Sequence, residues 1–478
     1  MFYTNSATRL HKEILIRVAN AFCNENKIDS LNRIPLEMRP KDAEFTRCCL
    51  YKDRAIIKYR CMAALGVGYD EEVDELMLIG DYLENVEKRQ NPADHNLSVI
   101  TEACSACIKT SYMVTNACMG CLAKSCQSAC PKDAIKMVDG QAVIDKDKCI
   151  NCGLCMQACP YHAIIYIPTP CEAACPVGAI TKDPETGKEQ IDEDKCIYCG
   201  KCMKECPFAA ISGKSQMVDV LNKIEKGNKV IAMVAPSISG QFPGTYGQIF
   251  ESIRKLGFND VCEVAVGADK TTESEAEEFI ERMEAGDPVM TTSCCPAYIQ
   301  AVKKIIPEIE PFVSTTPTPM AFSGQIVKEK YKDAITVFIG PCLAKRAEAS
   351  TNDNIDYVLT FEELGAMFIG KQIDVLEVEA ADDVTDACSD GHGFATSGGV
   401  TQAIENAAEN VIIKPVTING LTKKQITLLK MAAKGKCAGN FMEVMACEGG
   451  CLGGPGTNVN PKSSLKALKL RQERAQLV

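Results

Sequence analysis

A chain of 478 residues with 46% apolar residues can bury several cores, so about three or four domains are expected. Its formal charge of -11 and its lack of a long Lys/Arg run argue against a nucleic-acid partner. No stretch reaches the roughly 18 apolar residues of a membrane span, and the N-terminus has no apolar run typical of a secretion signal, so we expect a cytoplasmic protein without a membrane partner.

The first region, residues 1–98, has the sequence pattern of a helical segment. Apolar residues recur there with the period of amphipathic helices. Cys48, Cys49 and Cys61 match no spacing known for iron-sulfur clusters. Because cysteine is a common small core residue, we expect these three to serve structural packing.

Iron-sulfur clusters are the favoured interpretation of the cysteines in residues 99–215. Sixteen of the 28 cysteines lie between Cys104 and Cys206, whereas the whole chain has four histidines. A reducing cytosol disfavours disulfides, and zinc sites of mixed ligation need histidine. Three segments match the bacterial ferredoxin run, in which three close cysteines bind one 4Fe-4S cluster and the fourth, before proline, binds a neighbouring cluster. They are Cys118, Cys121, Cys126 and Cys130, with two extra residues in the loop; Cys149, Cys152, Cys155 and Cys159; and Cys196, Cys199, Cys202 and Cys206. A zinc knuckle, which needs pairs of cysteines, is the weaker alternative.

Four further cysteines complete the sixteen thiolates that four 4Fe-4S clusters require. The segment CEAACP, with Cys171 and Cys175, is the tail of a run, and CSAC, with Cys104 and Cys107, is a head. We therefore predict one ferredoxin module inserted in another, the inner one at about 115–166. The predicted sets are Cys118, Cys121 and Cys126 with Cys159; Cys149, Cys152 and Cys155 with Cys130; Cys196, Cys199 and Cys202 with Cys175; and Cys104, Cys107 and Cys171 with Cys206. This region resembles the four-cluster electron-transfer subunits of bacterial molybdoenzymes, in which one run is likewise split, with a permuted order of runs here.

Short apolar runs alternate with helical patterns in the last region, residues 226–478. The runs are KVIAMVAPSI, DVCEVAVGAD, DPVMTTSCC, AITVFIGPC and IDYVLTF, and the helical patterns cover 271–285, 297–306, 318–331 and 399–409. This alternation predicts an α/β domain with largely parallel sheets. Ligands bind such sheets at the carboxyl ends of strands, where TTSCCPAY, GPCLAKRAE and VMACEGGCLGGPG place the remaining marked cysteines.

At these three motifs the chain resembles the FeFe hydrogenases, over roughly residues 228 to 460. The resemblance implies two mostly parallel sheet lobes around an H-cluster, which is a 4Fe-4S cubane joined to a two-iron subsite carrying CO, cyanide and an azadithiolate. It implies that the cubane ligands are Cys295, Cys342, Cys447 and Cys451, with Cys451 bridging to the two-iron subsite. Cys294 would face the other way and pass protons, because adjacent side chains of an extended chain point to opposite faces. Lys345 would donate a charge-assisted hydrogen bond to a cyanide ligand.

A proton route is implied by the same resemblance. Glu275, Glu278 and Arg282 stand at i, i+3 and i+7, on one face of a helix, and align with acidic and basic members of the family's proton path. Ser314 falls at the serine of that path. Spacing alone would equally suit a solvated charged face.

The chain departs from familiar members of the family beside these motifs. Ala297 follows the proline of TSCCP where glycine is usual, and Gly340 stands two residues before Cys342 where methionine is usual, while Met445 keeps the equivalent place before Cys447. We expect Ala297, Gly340, Pro341, Lys345 and Met445 to pack around the cofactor. The departures would then change the polarity and potential of the two-iron subsite.

The resemblance implies a ferredoxin-type hydrogenase that catalyses 2H⁺ + 2e⁻ ⇌ H2. Its electrons would pass through four accessory clusters to ferredoxin or another soluble carrier, and maturation proteins would supply the two-iron subsite. A hydrogen or redox sensor with low turnover is the alternative. Hydrogenase-like iron-sulfur assembly proteins, which have no two-iron subsite, are a third class, and the retained Cys294 and Lys345 argue against it.

Overall fold

Four helices form the N-terminal part of the computed structural model, which describes residues 5–44, 47–92, 97–381, 385–408 and 411–475. They are α1 (Ser6–Cys23), α2 (Lys27–Met38), α3 (Leu50–Ala64) and α4 (Ile79–Lys88). Their apolar faces pack together, so the helical period at which apolar residues recur in the sequence corresponds to these helices.

The three N-terminal cysteines have different environments. Cys61 is fully buried in α3, as expected for a packing residue. Cys48 is exposed, and its Sγ atom lies 3.9 Å from that of Cys49. The packing expectation is therefore wrong for Cys48, because the two residues stand in the loop that leads into α3 and do not both face the core.

Short antiparallel strand pairs and helices of about one turn make up the cysteine-rich region. The strands are β1 (Leu97–Val99), β2 (Ser111–Val114), β3 (Ile135–Val138), β4 (Gln141–Ile144), β5 (Ile164–Ile167), β6 (Ile180–Lys182), β7 (Glu189–Ile191) and β8 (Ile211–Gly213). The helices are α5 (Ser125–Ser128), α6 (Leu154–Ala158), α7 (Pro170–Ala174) and α8 (Lys201–Glu205). Strand β2 pairs with β5, and β3 pairs with β4. Strand β1, which precedes these strands in the chain, pairs with β8, which follows them, and β6 pairs with β7. One unit, residues 111–167, is thus enclosed within the chain of another.

Two parallel sheets with covering helices form the remainder. The strands are β9 (Val230–Val234), β10 (Asp260–Glu263), β11 (Met290–Thr291), β12 (Ile335–Ile339), β13 (Tyr357–Leu359), β14 (Pro415–Asn419) and β15 (Phe441–Met445). The helices are α9 (Met217–Glu225), α10 (Tyr246–Lys255), α11 (Val264–Glu284), α12 (Pro296–Ile305), α13 (Pro319–Lys330), α14 (Ala344–Ala349), α15 (Phe361–Gly370), α16 (Ser389–Gly393), α17 (Gly399–Ala407), α18 (Lys423–Ala432) and α19 (Pro461–Ala475). The sheet orders are β10-β9-β12-β13 and β11-β15-β14, with every pairing parallel. The predicted α/β class with parallel sheets is confirmed.

The central strands explain why the sequence shows continuous apolar runs. Every residue of β9 and β15 is buried, because a parallel sheet is covered on both faces. Strands β9, β12 and β15 all end at one region between the sheets, which is where the marked cysteines stand.

One predicted boundary is wrong. The run DVCEVAVGAD continues as a strand only to Glu263, and α11 begins at Val264 instead of at residue 271. A short apolar run does not distinguish a strand from a buried helical turn, and Val264, Ala265 and Ala268 are buried on one side of the helix.

No helix among the described residues combines the length and apolar content needed to cross a bilayer.

A buried ion pair of the parallel-sheet region lies at the boundary with the cysteine-rich region, and its arginine also bonds across that boundary. The Nη2 atom of Arg346 lies 2.8 Å from both carboxylate oxygens of Glu363, and its Nη1 atom donates to the carbonyl of Lys214 at 2.6 Å. Lys214 directly follows β8, so the guanidinium ties the end of one region to the helix α15 of the other.

Replacing Arg346 with Met should lower the apparent free energy of unfolding by about 3–5 kcal/mol, because Glu363 would keep a buried charge without its partner. Denaturant unfolding of the two proteins measures the difference. Arg33→Met is the matched control, since its pair with Asp29 is exposed to solvent and should contribute less than about 1 kcal/mol. Equal losses in the two variants would contradict the assignment.

Candidate functional site

A cavity lies where the strands of the two sheets end. Residues that follow β9, β12 and β15 form much of its wall, and most of the others are apolar. Five cysteines line it: Cys294, Cys295, Cys342, Cys447 and Cys451. Lys345 adds a cation to the same wall. The three predicted motifs therefore meet at one place.

The local sequence explains the position of the cysteine pair. Pro296 is the first residue of α12, a position that suits proline because its missing N–H would have no helical partner. Cys295 is consequently the N-cap residue in an extended conformation, and Cys294 precedes it. Cys294 packs with the cluster around Phe279, and Cys295 contacts both this cluster and the one around Tyr298.

The electrostatics of the cavity favour a cationic occupant. Burial, followed by the neighbouring Cys295 and Cys451, raises the pKa of Cys342 to about 12. Burial likewise raises the pKa of Cys451 to about 11 and the pKa of Cys447 well above the usual range. Thiolates here would repel one another unless iron supplied positive charge, so this donor set fits an iron-sulfur cubane. Within the described ranges no three His, Cys, Asp or Glu side chains lie close enough to hold a single metal ion.

Glu275 is a carboxyl group buried without a hydrogen-bond partner in the described structure. It lies on α11 with no exposed surface, and neither oxygen has such a bond. Burial raises its pKa to about 8, with smaller opposing effects from the nearby Ser314 hydroxyl and Ser293 amide. Burial raises the pKa of Cys294 well above the usual range, and among the neighbouring charged groups Glu275 raises it most. At neutral pH both groups hold a proton.

Glu278, one turn along α11, has the opposite character. It accepts hydrogen bonds from the Ser314 hydroxyl at 2.7 Å, from the Thr315 amide at 2.9 Å and from Arg282 Nε at 3.0 Å. The amide and hydroxyl of Thr316 donate to it as well. Burial opposes its charge, but these donors lower its pKa to about 2. Ser314 therefore stands between a neutral and an ionised carboxyl group.

The structure brings only some of the predicted cofactor-contacting residues to the cavity. Pro341, Lys345 and Met445 line it. Ala297 packs instead in the core beside Tyr298. A side chain at Gly340 would place its Cβ atom 2.5 Å from the Phe338 ring.

Sequence reasoning missed three residues of this site. Phe338 lines the cavity, so its ring occupies space beside the glycine. Ser237 also lines it, and its buried hydroxyl has no hydrogen-bond partner among the described residues. Glu443 is fully buried, accepts from the amides of Gly398 and Thr401, and influences Cys294. The sequence signal that could have identified Glu443 is its position on β15, four residues before Cys447.

Lys345 is held by a carboxylate. Its Nζ atom lies 2.7 Å from Glu348 Oε2 and 3.4 Å from Thr318 Oγ1. Burial would lower its pKa, but Glu348 and the nearby Cys342 raise it above the usual value. The ammonium group therefore stays charged against the cavity wall.

The sixteen predicted cluster cysteines gather in separate groups. Cys104, Cys107, Cys171 and Cys206 line one small cavity. Cys175, Cys196, Cys199 and Cys202 influence one another electrostatically. The core of the enclosed unit contains five of them: Cys118, Cys126, Cys130, Cys155 and Cys159. Two more, Cys149 and Cys152, raise the pKa of Cys155 by their charge. The last, Cys121, lies in the loop between Cys118 and Cys126. Cys199 is also an electrostatic neighbour of Cys295 and Cys447, which places one group beside the main cavity.

Two family models match the chain. The iron-only hydrogenase large subunit, C-terminal domain, matches residues 228–455, and the 4Fe-4S binding domain matches residues 142–165 and 189–212. The second match confirms 4Fe-4S binding segments in the cysteine-rich region.

Relatives of this chain fall in two groups. The periplasmic [Fe] hydrogenase large subunit of Nitratidesulfovibrio vulgaris is 32% identical over 378 residues, which cover 66% of this chain and 86% of the relative. Iron hydrogenase 1 of Clostridium pasteurianum is 29% identical over 415 residues, with 73% and 71% covered. The cytosolic Fe-S cluster assembly factor narfl of Danio rerio is 25% identical over 311 residues, with 51% and 75% covered.

Replacing Glu275 with Gln should change how stability depends on pH. A carboxyl group whose pKa rises from 4.5 to about 8 on folding binds a proton in the folded state, so it destabilises the fold progressively as pH rises across that window. Because glutamine cannot ionise, the variant does not lose stability in this way, and its free energy of unfolding relative to that of the parent should rise between pH 4.5 and 8. Denaturant midpoints at several pH values measure the effect. Glu277→Gln, on the exposed side of α11, is the control, and parallel curves for the Glu275 variant and the parent would refute the shift.

Proposed function

Because the chain belongs to the iron-only hydrogenase family, we propose that it is an enzyme catalysing 2H⁺ + 2e⁻ ⇌ H2 at an H-cluster. The observation that carries the proposal is the cavity at the strand ends, where five cysteines, Lys345 and Ser237 meet. Its partners are H2, protons and a soluble electron carrier such as ferredoxin, and maturation proteins supply the two-iron subsite.

The protein residues hold and surround the cofactor. When bound, the H-cluster supplies the hydrogen chemistry through a cubane and a two-iron subsite with CO, cyanide and azadithiolate ligands. Cys295, Cys342, Cys447 and Cys451 would hold the cubane, and Cys451 would also serve the two-iron subsite. Lys345 donates to an anionic ligand, supported by its retained charge. The apolar wall excludes water.

The buried acids carry protons between the cavity and the surface. Cys294 stands at the cavity, Glu275 beside it, and Ser314 links Glu275 to the ionised Glu278. Arg282 completes the route, contacting Glu278 and the carbonyl of Pro311. Since Glu275 is neutral and Glu278 charged at pH 7, a proton can pass along this chain in either direction without two adjacent carboxylates being ionised.

Two nested ferredoxin modules would hold four 4Fe-4S clusters, which would supply the electron route to the cavity. The region spans 99–215 with the inner module at about 115–166, between the helical segment 1–98 and the catalytic domain 226–478. The group containing Cys199 is the last step, supported by its closeness to Cys295 and Cys447. We place the protein in the cytoplasm, where a reducing environment keeps its 28 free cysteines available.

Anaerobic maturation followed by infrared spectroscopy and a hydrogen assay tests this function. The proposal expects CO and cyanide bands together with H2 turnover. A hydrogen sensor would give the bands with low turnover. An assembly factor, the role named for the Danio rerio relative, would bind iron without the bands after competent maturation, and that result would overturn the proposal.

Cys294→Ala should keep the infrared bands and lower H2 turnover by about 100-fold or more, because a proton donor is lost while all four cubane ligands remain. The matched control is Cys437→Ala, a partly buried cysteine outside the cavity wall, which should retain parent turnover. Loss of the bands in the Cys294 variant would mean that Cys294, and not Cys295, binds the cubane.

Iron content tests the nested modules. Four accessory clusters and the H-cluster hold about 22 irons, and loss of one accessory cluster leaves about 18. Cys107→Ala, Cys171→Ala and Cys206→Ala should each remove the same cluster from the electron paramagnetic resonance spectrum of the reduced protein. Cys48→Ala is the control, as an exposed cysteine in the loop that Arg47 anchors to Ser105. Three different spectral losses would refute the grouping.

A further inference from the structure

The enclosed unit of residues 111–167, taken with the three residues before it (108–110) and called the inner unit below, has an unusually apolar exposed surface. Eleven of the 23 large apolar side chains that are exposed in the described residues lie in these 60 residues. Its strands and helices pack chiefly on one another, so the unit projects from the rest of the chain. Concentrated exposed apolar surface indicates a site for another molecule.

The charge of this unit differs from that of the whole chain. The segment 108–167 contains six lysines, four aspartates and no arginine or glutamate, whereas the complete chain carries -11. All six lysines are exposed: Lys109, Lys124, Lys132, Lys136, Lys146 and Lys148. The mixture of apolar side chains and lysines is complementary to an acidic protein surface.

One end of the unit lies next to the rest of the molecule. Asn151, in the loop of the Cys149 group, donates to the carbonyl of Thr110 at 3.2 Å. Thr110 in turn accepts from the amide of Thr169, and these two residues flank the unit where it joins the outer module. The Cys149 group is therefore the inner end of the electron route.

The other end carries the most exposed apolar side chains. Leu122 is 96% exposed and Met119 is 69% exposed, and both adjoin cysteines of the Cys118 group. The β3–β4 turn packs on this loop, because the Ala142 amide donates to Cys118 Sγ at 3.4 Å. Gly120 permits the approach, since a Cβ atom there would lie 2.2 Å from the carbonyl oxygen of Gly140. The turn adds Val138 to the surface.

We propose that this distal tip, formed by Met119, Leu122, Lys124 and Val138, is the docking site of an acidic one-electron carrier protein. The inference rests on the proposed function and specifies where its electrons enter. The reduced carrier loses one electron and the cluster of Cys118, Cys121, Cys126 and Cys159 gains it, with no bond formed or broken. Apolar contact brings the redox centre of the carrier close to this cluster, and the lysines attract an acidic partner electrostatically. The complex would be transient, with a small interface.

The matured full chain is assayed for H2 evolution with two electron donors: a reduced acidic ferredoxin of the 2[4Fe-4S] type and reduced methyl viologen. The double variant Met119→Asp with Leu122→Asp should raise the apparent KM for ferredoxin at least tenfold and leave the viologen-driven rate unchanged. Val138→Asp, which alters the tip from the hairpin and not from the cluster loop, should raise the same KM. Lys124→Glu should raise this KM most at low salt, because salt screens the electrostatic attraction between the lysine and an acidic partner.

Val73→Asp is the matched control, since Val73 is 91% exposed in the N-terminal region, and it should leave both rates unchanged. An unchanged ferredoxin KM in the tip variants, or an equal rise in the control, overturns the docking site. Sedimentation provides a further check: a parent dimer that the tip variants dissociate, with unchanged ferredoxin KM, would assign the tip to a second copy of the chain and also overturn it. No turnover with viologen in the parent protein would instead contradict the proposed function.

Discussion

The main constraint on this structure is the burial of several cysteine sulfurs at one point. A thiolate out of water is costly, and neighbouring thiolates raise one another's pKa, as the values for Cys342 and Cys451 show. Such a group is stable only around a cationic core that takes up the charge. The two parallel sheets meet this constraint because their strands β9, β12 and β15 end on the same cavity, so residues far apart in sequence meet on a rigid framework.

The surrounding acids follow from the same environment. Glu275 and Glu278 are three residues apart on α11, yet their pKa values move in opposite directions. Burial without a donor keeps Glu275 protonated, whereas the hydroxyls and amides of residues 314–316 hold Glu278 ionised. Two carboxyl groups of the same helix thereby acquire different roles from their surroundings.

The sequence was informative where chemistry requires fixed spacing. Cysteine runs and strand-end motifs predicted the cavity-lining cysteines, and apolar alternation predicted the parallel sheets. It was uninformative where a role depends on packing across the fold. Phe338 beside Gly340 and the unpartnered hydroxyl of Ser237 carry no spacing signal. The start of α11 was also missed, because valine and alanine suit a buried strand and a buried helical turn alike.

Iron-anomalous diffraction from crystals of the matured protein locates each iron relative to the side chains. The proposed H-cluster site should show a group of about six irons in the main cavity. Four of them should lie next to Cys295, Cys342, Cys447 and Cys451, and two should lie on the side of Cys294 and Lys345. A matured protein with only a cubane in this cavity, or with iron bound to Cys294, would contradict it.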